Sequence, residues 1–539
     1  MPTQIYFNNK VRTLPGAYSA ITSGEQNSPQ NLDYGKVLII DTGLGAGFGG
    51  GAGSNGTLAG GKDAVYKFTD VDSFKSFIKG SLFWKLSEAL FFPYNSYAGV
   101  STLYFAKAAT TAPAEMVFAT DTTGSVSIQC LDEGLIGNGI FTSGHLDKGY
   151  AFTIVAGVND PAKFILKIWQ GTWKGDHTDG VAYDELAKAK TVPILVIQSP
   201  EFNNLQTLID WGRTDKAFGR RFKLNPNSAI LLTGVVVSGD VTDYAAYSGA
   251  TGGTETYDSL AKVLEAVSDL DYQFILSDET TASEYTAAPT STIKAHILDP
   301  DTAFTKTLVI GGEADETGFD DGIAMAQALN SNQVIVVHGA VNLSSTVLSS
   351  GIRVFPPIYH AAKVLGRICG LQPQVPVTNK QIAIDGLVHN LTTKEQVKAL
   401  DAGMLVTIAD QFRGGFKVQQ GVNTLQDNAF LFNILGQSFS VQFERIKAQV
   451  NRELVINSET DLLNDDNGVN VNTLSPGILK TWVETYLANR VATPAVDNLL
   501  ISFKNVTVTR VDDYYKVTYG IVVNNEITKI FYTGFLFRS

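Results

Sequence analysis

The chain has 539 residues, 44% of them hydrophobic and 17% charged, with a formal net charge of −12. That is enough apolar material for a large core in about three or four structural units. The acidic balance argues against nucleic acid as the main partner, because phosphate neutralisation needs a basic surface.

Two cysteines, Cys130 and Cys369, stand far apart and in no metal-ligand spacing. That pattern points to neither a disulfide framework nor a zinc site and reads each thiol as a small buried side chain. The opening MPTQIYFNNK lacks a basic stretch followed by an apolar run, and no uninterrupted span of about 18 apolar residues occurs. The expectation is a soluble chain made in a cytoplasm, without membrane insertion.

Gln4 to Tyr18 reads as a short extended segment with Ile5, Tyr6 and Phe7 at its start and Pro15-Gly16 as a turn signal. Ser23 to Leu32 follows as a flexible linker. Lys36 to Asp41, KVLIID, is a continuous apolar run ending in glycines, as expected of a strand buried on both faces in a parallel sheet. Within the glycine-rich tract Gly43 to Gly61 and its continuation, Gly56 to Lys62 reads GTLAGGK and meets the G-x-x-x-x-G-K part of a phosphate-binding loop. Asp63 then stands where a Ser or Thr should hold magnesium, and its carboxylate would repel phosphate. The tract reads as a surface loop, and a nucleotide-binding P-loop-like enzyme is the alternative it leaves open.

From Tyr66 onward, Asp70 or Asp72 can cap a helix carrying Phe74, Phe77 and Ile78, a second helix spans Phe83 to Phe91, and Ser101 to Ala108 returns as a strand. Short strand-like runs at Ser125–Leu131, Ala151–Val158 and Lys163–Trp169 predict a β-rich insertion. In it Trp169, Trp173 and His177 form either a binding patch or, more in keeping with aromatics on short strands, core. A helix over Asn203–Phe222 closes it.

Strand and helix then alternate. Strands are expected at Ala229–Val237, Tyr272–Ser277, Lys306–Gly311 and Gln333–His338, with helices at Tyr257–Leu270 and Phe319–Leu329. The fold class is α/β: a mixed, mostly parallel sheet with helices on its faces, a β-rich insertion and an α+β C-terminal part. Ligands in such sheets gather beyond the strand C-termini. Glu313, Asp315, Glu316, Asp320, Asp321 and His338 lie there, but without a nucleophile or an anion-binding loop they read as solvated loop and helix-start charges. Two calcium-loop lookalikes, Leu463–Gly468 and Thr317–Gly322, fail at their first ligand positions. No catalytic, cofactor or metal residue is assigned, and the expectation is a protein that is not an enzyme.

From Pro356 the chain reads PPIYHAAKVLGRICG, then Thr378-Asn379-Lys380, Ile384-Asp385-Gly386, and LTTKEQVKALDAGM from Leu391. Pro357 suits a first helical turn, Thr392 with Glu395 makes a capping box, and Gly403 stops the helix. This ordered set resembles the contractile tail sheath proteins of bacteriophages and related injection particles. Pro15 to Tyr18, PGAY, and Gly134 to Asn138, GLIGN, are similar to further family motifs, with Ile136 replacing a Trp. The long glycine tract is a departure.

The last stretch, Glu526 to Phe537, puts Ile527, Phe531, Phe535 and Phe537 on one side of a strand and Ile530, Tyr532 and Leu536 on the other. A strand with two apolar faces needs cover and a pairing partner, either in its own subunit or in a neighbour.

The resemblance implies a structural subunit of a contractile phage tail sheath. It would polymerise as stacked hexameric rings around a tail tube, meet baseplate and tail terminator proteins, use no cofactor, assemble in the host cytoplasm and end in the virion. Contraction would draw on energy stored in a metastable extended state. The sheath of a headless tail-like particle is an equal form of the same reading, and a different self-assembling shell protein is a further alternative.

Under the sheath resemblance Ile5, Tyr6, Phe7, Ile527, Ile530, Phe531, Tyr532, Phe535 and Phe537 carry inter-subunit strand exchange, and Lys480, Glu484 and Arg490 are candidate tube contacts. The implied division is 1–33 arm and linker, 34–115 first part of the core, 116–225 insertion, 226–413 second part of the core, and 414–539 C-terminal sheath domain with its strand arm.

Overall fold

The computed structural model describes residues 5–7, 10–12, 35–41, 53–54, 65–79, 81–94, 98–107, 113–119, 125–133, 140–142, 145–148, 150–170, 194–219, 222–226, 257–277, 290–299, 304–313, 318–344, 352–411, 413–426, 437–458, 475–492, 499–511 and 514–523. A seven-stranded sheet dominates. Its spatial order is Met404–Leu405, Val334–Val337, Thr307–Gly311, Phe274–Ser277, Lys36–Asp41, Thr102–Lys107 and Val65–Phe68. All neighbours are parallel except the last pair.

The two-faced apolar character of these strands is what the sheet uses. Val37 and Ile39 point into one core with Leu103, Phe105, Leu276, Val309 and Val337. Leu38 and Ile40 point into another with Tyr104, Ile275, Leu308, Ile310 and Val336. Alternation with period two thus feeds two separate cores from one set of strands.

Helices Val71–Phe77, Ser81–Phe91 and Pro357–Cys369 cover the first face. Helices Tyr257–Ala266, Thr290–Ile297, Phe319–Leu329 and Thr393–Asp401 cover the second. All 13 residues of Pro357–Cys369 are buried. It crosses Ser81–Phe91 so closely that a Cβ on Gly366 would sit 2.6 Å from the Leu90 carbonyl oxygen, so only glycine fits there.

The caps follow the local chemistry. Asp70 Oδ1 accepts from the Ser73 amide at 2.7 Å, which settles the choice between Asp70 and Asp72. Thr392 and Glu395 form the expected capping box.

Between 113 and 226 two three-stranded sheets share a third core with helix Leu205–Thr214. One sheet pairs Tyr150–Ala156, Phe164–Gln170 and Ile194–Gln198; the other pairs Phe222–Pro226, Ser125–Glu133 and Pro113–Ala119. The single helix expected over Asn203–Phe222 is instead two, Leu205–Thr214 and Lys216–Gly219, and Phe222 opens a strand. The break falls at Asp215, whose extended backbone ends the first helix and whose Oδ1 accepts from the Phe218 amide at 2.8 Å. Phe222 then sits among Tyr150, Phe152 and Phe218, with ring centroids 5.0, 5.9 and 5.6 Å away.

Trp169 packs in its strand and donates from Nε1 to Thr153 Oγ1 at 2.9 Å. Trp173, His177, the Ala229–Val237 run, the PGAY and GLIGN motifs and both calcium lookalikes lie wholly or partly outside the described residues, as does all of the glycine tract but Gly53–Ser54. Among the described residues no helix is long and apolar enough to cross a membrane.

Candidate assembly interface

The C-terminal part builds a fourth core from helices Val441–Ser458 and Pro476–Ala492 and the hairpin Ser502–Val511 with Tyr514–Val522. Ile446 and Val450 on the first helix meet Leu479, Val483 and Leu487 on the second, and Val506 and Val523 close over them. Among the described residues the hairpin is a sheet of two strands. Half of the apolar side chains here, among them Trp482, Phe503, Val508, Tyr515, Val517, Tyr519 and Ile521, are only partly covered. The sheet cores are more closed: the second has just Val65, Leu270 and Leu400 in that state.

The opposite face of Val441–Ser458 is polar and turned inward. Gln442, Arg445, Gln449 and Arg452 recur at three- and four-residue steps and therefore share a face. Gln442 and Arg445 reach the carbonyls of Gln374 and Leu371. Arg452 Nε donates to Asp271 Oδ1 at 2.7 Å, and Lys36 Nζ meets Asp271 Oδ2 at 2.8 Å. Burial pushes the Asp271 carboxyl up, but the hydrogen bonds and charge of Arg452, with Lys36 behind them, outweigh it and hold the carboxyl below its usual range.

This polar seam runs along the N-terminal ends of the strands and lines a small, partly open pocket of about 40 Å³ between Gly35, Phe274, Thr307, Pro373, Arg445 and Arg452. Beside it Lys306 is fully buried, donates to the Ser268 carbonyl at 2.7 Å and lies 4.4 Å over the Tyr272 ring. Burial drives its ammonium pKa down to about 7.

The expected tube contacts separate into two kinds. Lys480 and Glu484 pair at 3.7 Å on the outer face of Pro476–Ala492, with side chains 48% and 42% exposed. Arg490 faces inward, its Nε 2.7 Å from Oε2 of the fully buried Glu453. Tyr486 donates to the same carboxylate, and burial followed by the Glu453 charge raises its phenol pKa.

Of the strand-exchange residues, Ile5–Phe7 pairs antiparallel with Lys10–Arg12, Tyr6 opposite Val11. Ile527, Ile530, Phe531, Tyr532, Phe535 and Phe537 lie outside the described residues. The seam and the Glu453 group escaped the sequence reading because Gln, Glu and Arg on one side of an amphipathic helix look like a solvated face.

At the other end of the sheet His338 is buried, not solvated as its position after a strand implied. The Phe319 and His389 rings close over it at 5.4 Å each. Asp320 does lie at an exposed helix start, bonded to Lys398; Asp315 and Glu316 lie outside the described residues. Among the described residues no group of three or more His, Cys, Asp or Glu side chains is arranged to hold a metal ion.

No family model matches the chain, and no curated protein does. Among solved structures it is similar to a sheath tail protein from Desulfitobacterium hafniense, at 15% identity over 94% of this chain and 100% of that one, with a TM-score of 0.47. It is also similar to a sheath tail protein from Listeria innocua, at 14% identity over 94% and 99%, with a TM-score of 0.42. A third similar chain comes from the helical sheath of the anti-feeding prophage in its contracted state, at 14% identity over 53% and 78%, with a TM-score of 0.38.

Proposed function

We propose that the chain is the structural subunit of a contractile tail sheath, polymerising as stacked six-fold rings around a tail tube and working without catalysis. The observation that carries this reading is the C-terminal hairpin. Among the described residues it is a sheet of two strands over a half-covered core, and the apolar run Glu526–Phe537 follows it directly in sequence. A long two-stranded ribbon is marginal unless a further strand or a packed face supports it, and an apolar strand needs a partner edge. Strand addition between copies meets both needs, with Ile5–Phe7 and Ile527–Phe537 as the exchanged segments.

Main-chain bonds of that kind move with the subunit, so a lattice joined by them can rotate and re-pack while staying connected. Energy stored at assembly in an extended packing would then drive the tube, with baseplate and terminator proteins setting the ends. Lys480 and Glu484 are the candidate tube contacts.

Electron microscopy of purified protein tests the reading. Hollow striated cylinders are expected, whereas monomers or flat lattices overturn it. Truncation after Asn525 should abolish long cylinders while leaving the monomer folded. Charge reversal at both Lys480 and Glu484 should weaken assembly on the tube and leave tube-free polymerisation unchanged.

A further inference from the structure

The closed histidine group at the C-terminal edge of the sheet has no role in strand exchange or in the polar seam. His338 follows the strand Val334–Val337, His389 precedes the helix Thr393–Asp401, and Phe319 begins the helix Phe319–Leu329. Their three rings pack edge to face, with centroids 5.4 to 5.7 Å apart. His338 is 4% exposed and His389 8%. Neither ring nitrogen of His338, nor Nδ1 of His389, has a hydrogen-bond partner among the described residues.

Behind them His360, on the wholly buried helix, is kept neutral near pH 7 by burial. Its Nδ1 lies 3.0 Å from the Gly339 carbonyl and donates to it, and in the neutral ring Nε2, 2.9 Å from Thr407 Oγ1, accepts.

We propose that His338, His389 and Phe319, backed by His360, form a proton-sensitive latch that holds the Phe319–Leu329 and Thr393–Asp401 helices against the edge of the sheet and loosens them in acid. The physical reason is that, among the described residues, no acceptor meets either ring nitrogen of His338, and the charge of Glu395 acts on it only from a distance, too weakly to offset burial. From the Thr393–Asp401 helix, Glu395 reaches only His389 Nε2, at 3.8 Å, while its Oε2 is committed to Thr392. Lys398 of the same helix and Asp320 of the Phe319–Leu329 helix neutralise each other at the surface. Glu313, after the strand Thr307–Gly311, lies against Gly318. From the buried helix His360 offers a third ring and no charge.

A proton on His338 is therefore relieved by turning the ring out to water, which undoes the packing on Phe319. Burial first, then the neighbouring histidines, lower the His338 pKa to about 3, and burial lowers that of His360 to about 4. Because these values are depressed, the latch is at full strength above the free-histidine value near 6.5 and is lost as pH falls through and below it.

Amide hydrogen exchange of the full-length protein at pH 7.5 and 5.0, corrected for intrinsic rates, tests the latch. At pH 5.0 a ring that titrates near 6.5 when open and about 3 when closed favours opening about thirtyfold over neutral pH. Protection across 319–329 and 388–401 should fall by that order, while 150–170 in the insertion stays unchanged. The double variant His338→Leu/His389→Leu should lose this pH dependence.

Should the double variant not fold, histidine C2 deuterium exchange on the natural protein decides. A His338 midpoint below pH 5 sustains the latch, and one near 6.5 overturns it. Equal protection at both pH values in the natural protein overturns it as well.

Discussion

Arg452, near the middle of the helix Val441–Ser458, reaches across to Asp271 just ahead of the strand Phe274–Ser277, with Nε 2.7 Å from Oδ1 and the guanidinium 4% exposed. That contact helps tie the C-terminal helices to the N-terminal ends of the central strands, and Lys36 joins it from the neighbouring strand.

Replacing Asp271 by Asn leaves Arg452 in place without its countercharge. Breaking a buried pair from one side costs about 3–5 kcal/mol, and Asp271, 18% exposed at its side chain, should fall at the lower end of that range. The carboxyl pKa is held low, so its stabilisation is complete above the unfolded-state value near 3.9 and is lost as pH falls through the folded value. Urea midpoints should therefore be lower for Asp271→Asn than for the natural chain at pH 7, and the gap should close as pH falls below the unfolded-state carboxyl value.

Lys306 acts with the same sign in an alkaline window. Its pKa falls from an ordinary 10.5 to about 7 on folding, so the unfolded chain binds an extra proton between those values. Stability linked to this side chain rises with pH there, by about tenfold in the folding constant per pH unit. Lys306→Met should remove that slope, seen as denaturation midpoints that rise less between pH 7 and 9 than those of the natural chain.

Gly366→Ala places a methyl group 2.6 Å from the Leu90 carbonyl oxygen and 2.8 Å from that of Ala89. Both are backbone atoms, so the helix crossing must open. A cost of about 1–3 kcal/mol is expected, set against up to about 1 kcal/mol of gained helix propensity. Calorimetry should show a lowered melting temperature; an unchanged or raised one would mean that the two helices separate freely.

What the sequence disclosed follows from range. The strand Lys36–Asp41, the helix Phe319–Leu329 and the Thr392–Glu395 box are written in local patterns of burial and capping, and the structure reproduces their limits. The break at Asp215 was hidden because Leu205–Phe222 keeps a helix-like apolar period through a turn that Asp215 ends locally. The Asp271–Arg452 contact spans 181 positions, and no periodicity encodes which polar residue on a helix will meet another so far away. His338 was misread for the same reason: what buries it, Phe319 and His389, comes from two other elements.

The place of Lys36–Asp41 in the middle of the sheet has a consequence for synthesis. One flank pairs early with Thr102–Lys107, but the other waits for Phe274–Ser277, and the bond from the Gly35 amide to Gln273 Oε1 joins positions 238 apart. While the ribosome makes the intervening stretch, an apolar ribbon stands with one side unzipped. Emerging chains will lean on chaperones during that interval, and slowing elongation between 107 and 274 should raise the aggregated fraction without altering the finished molecule.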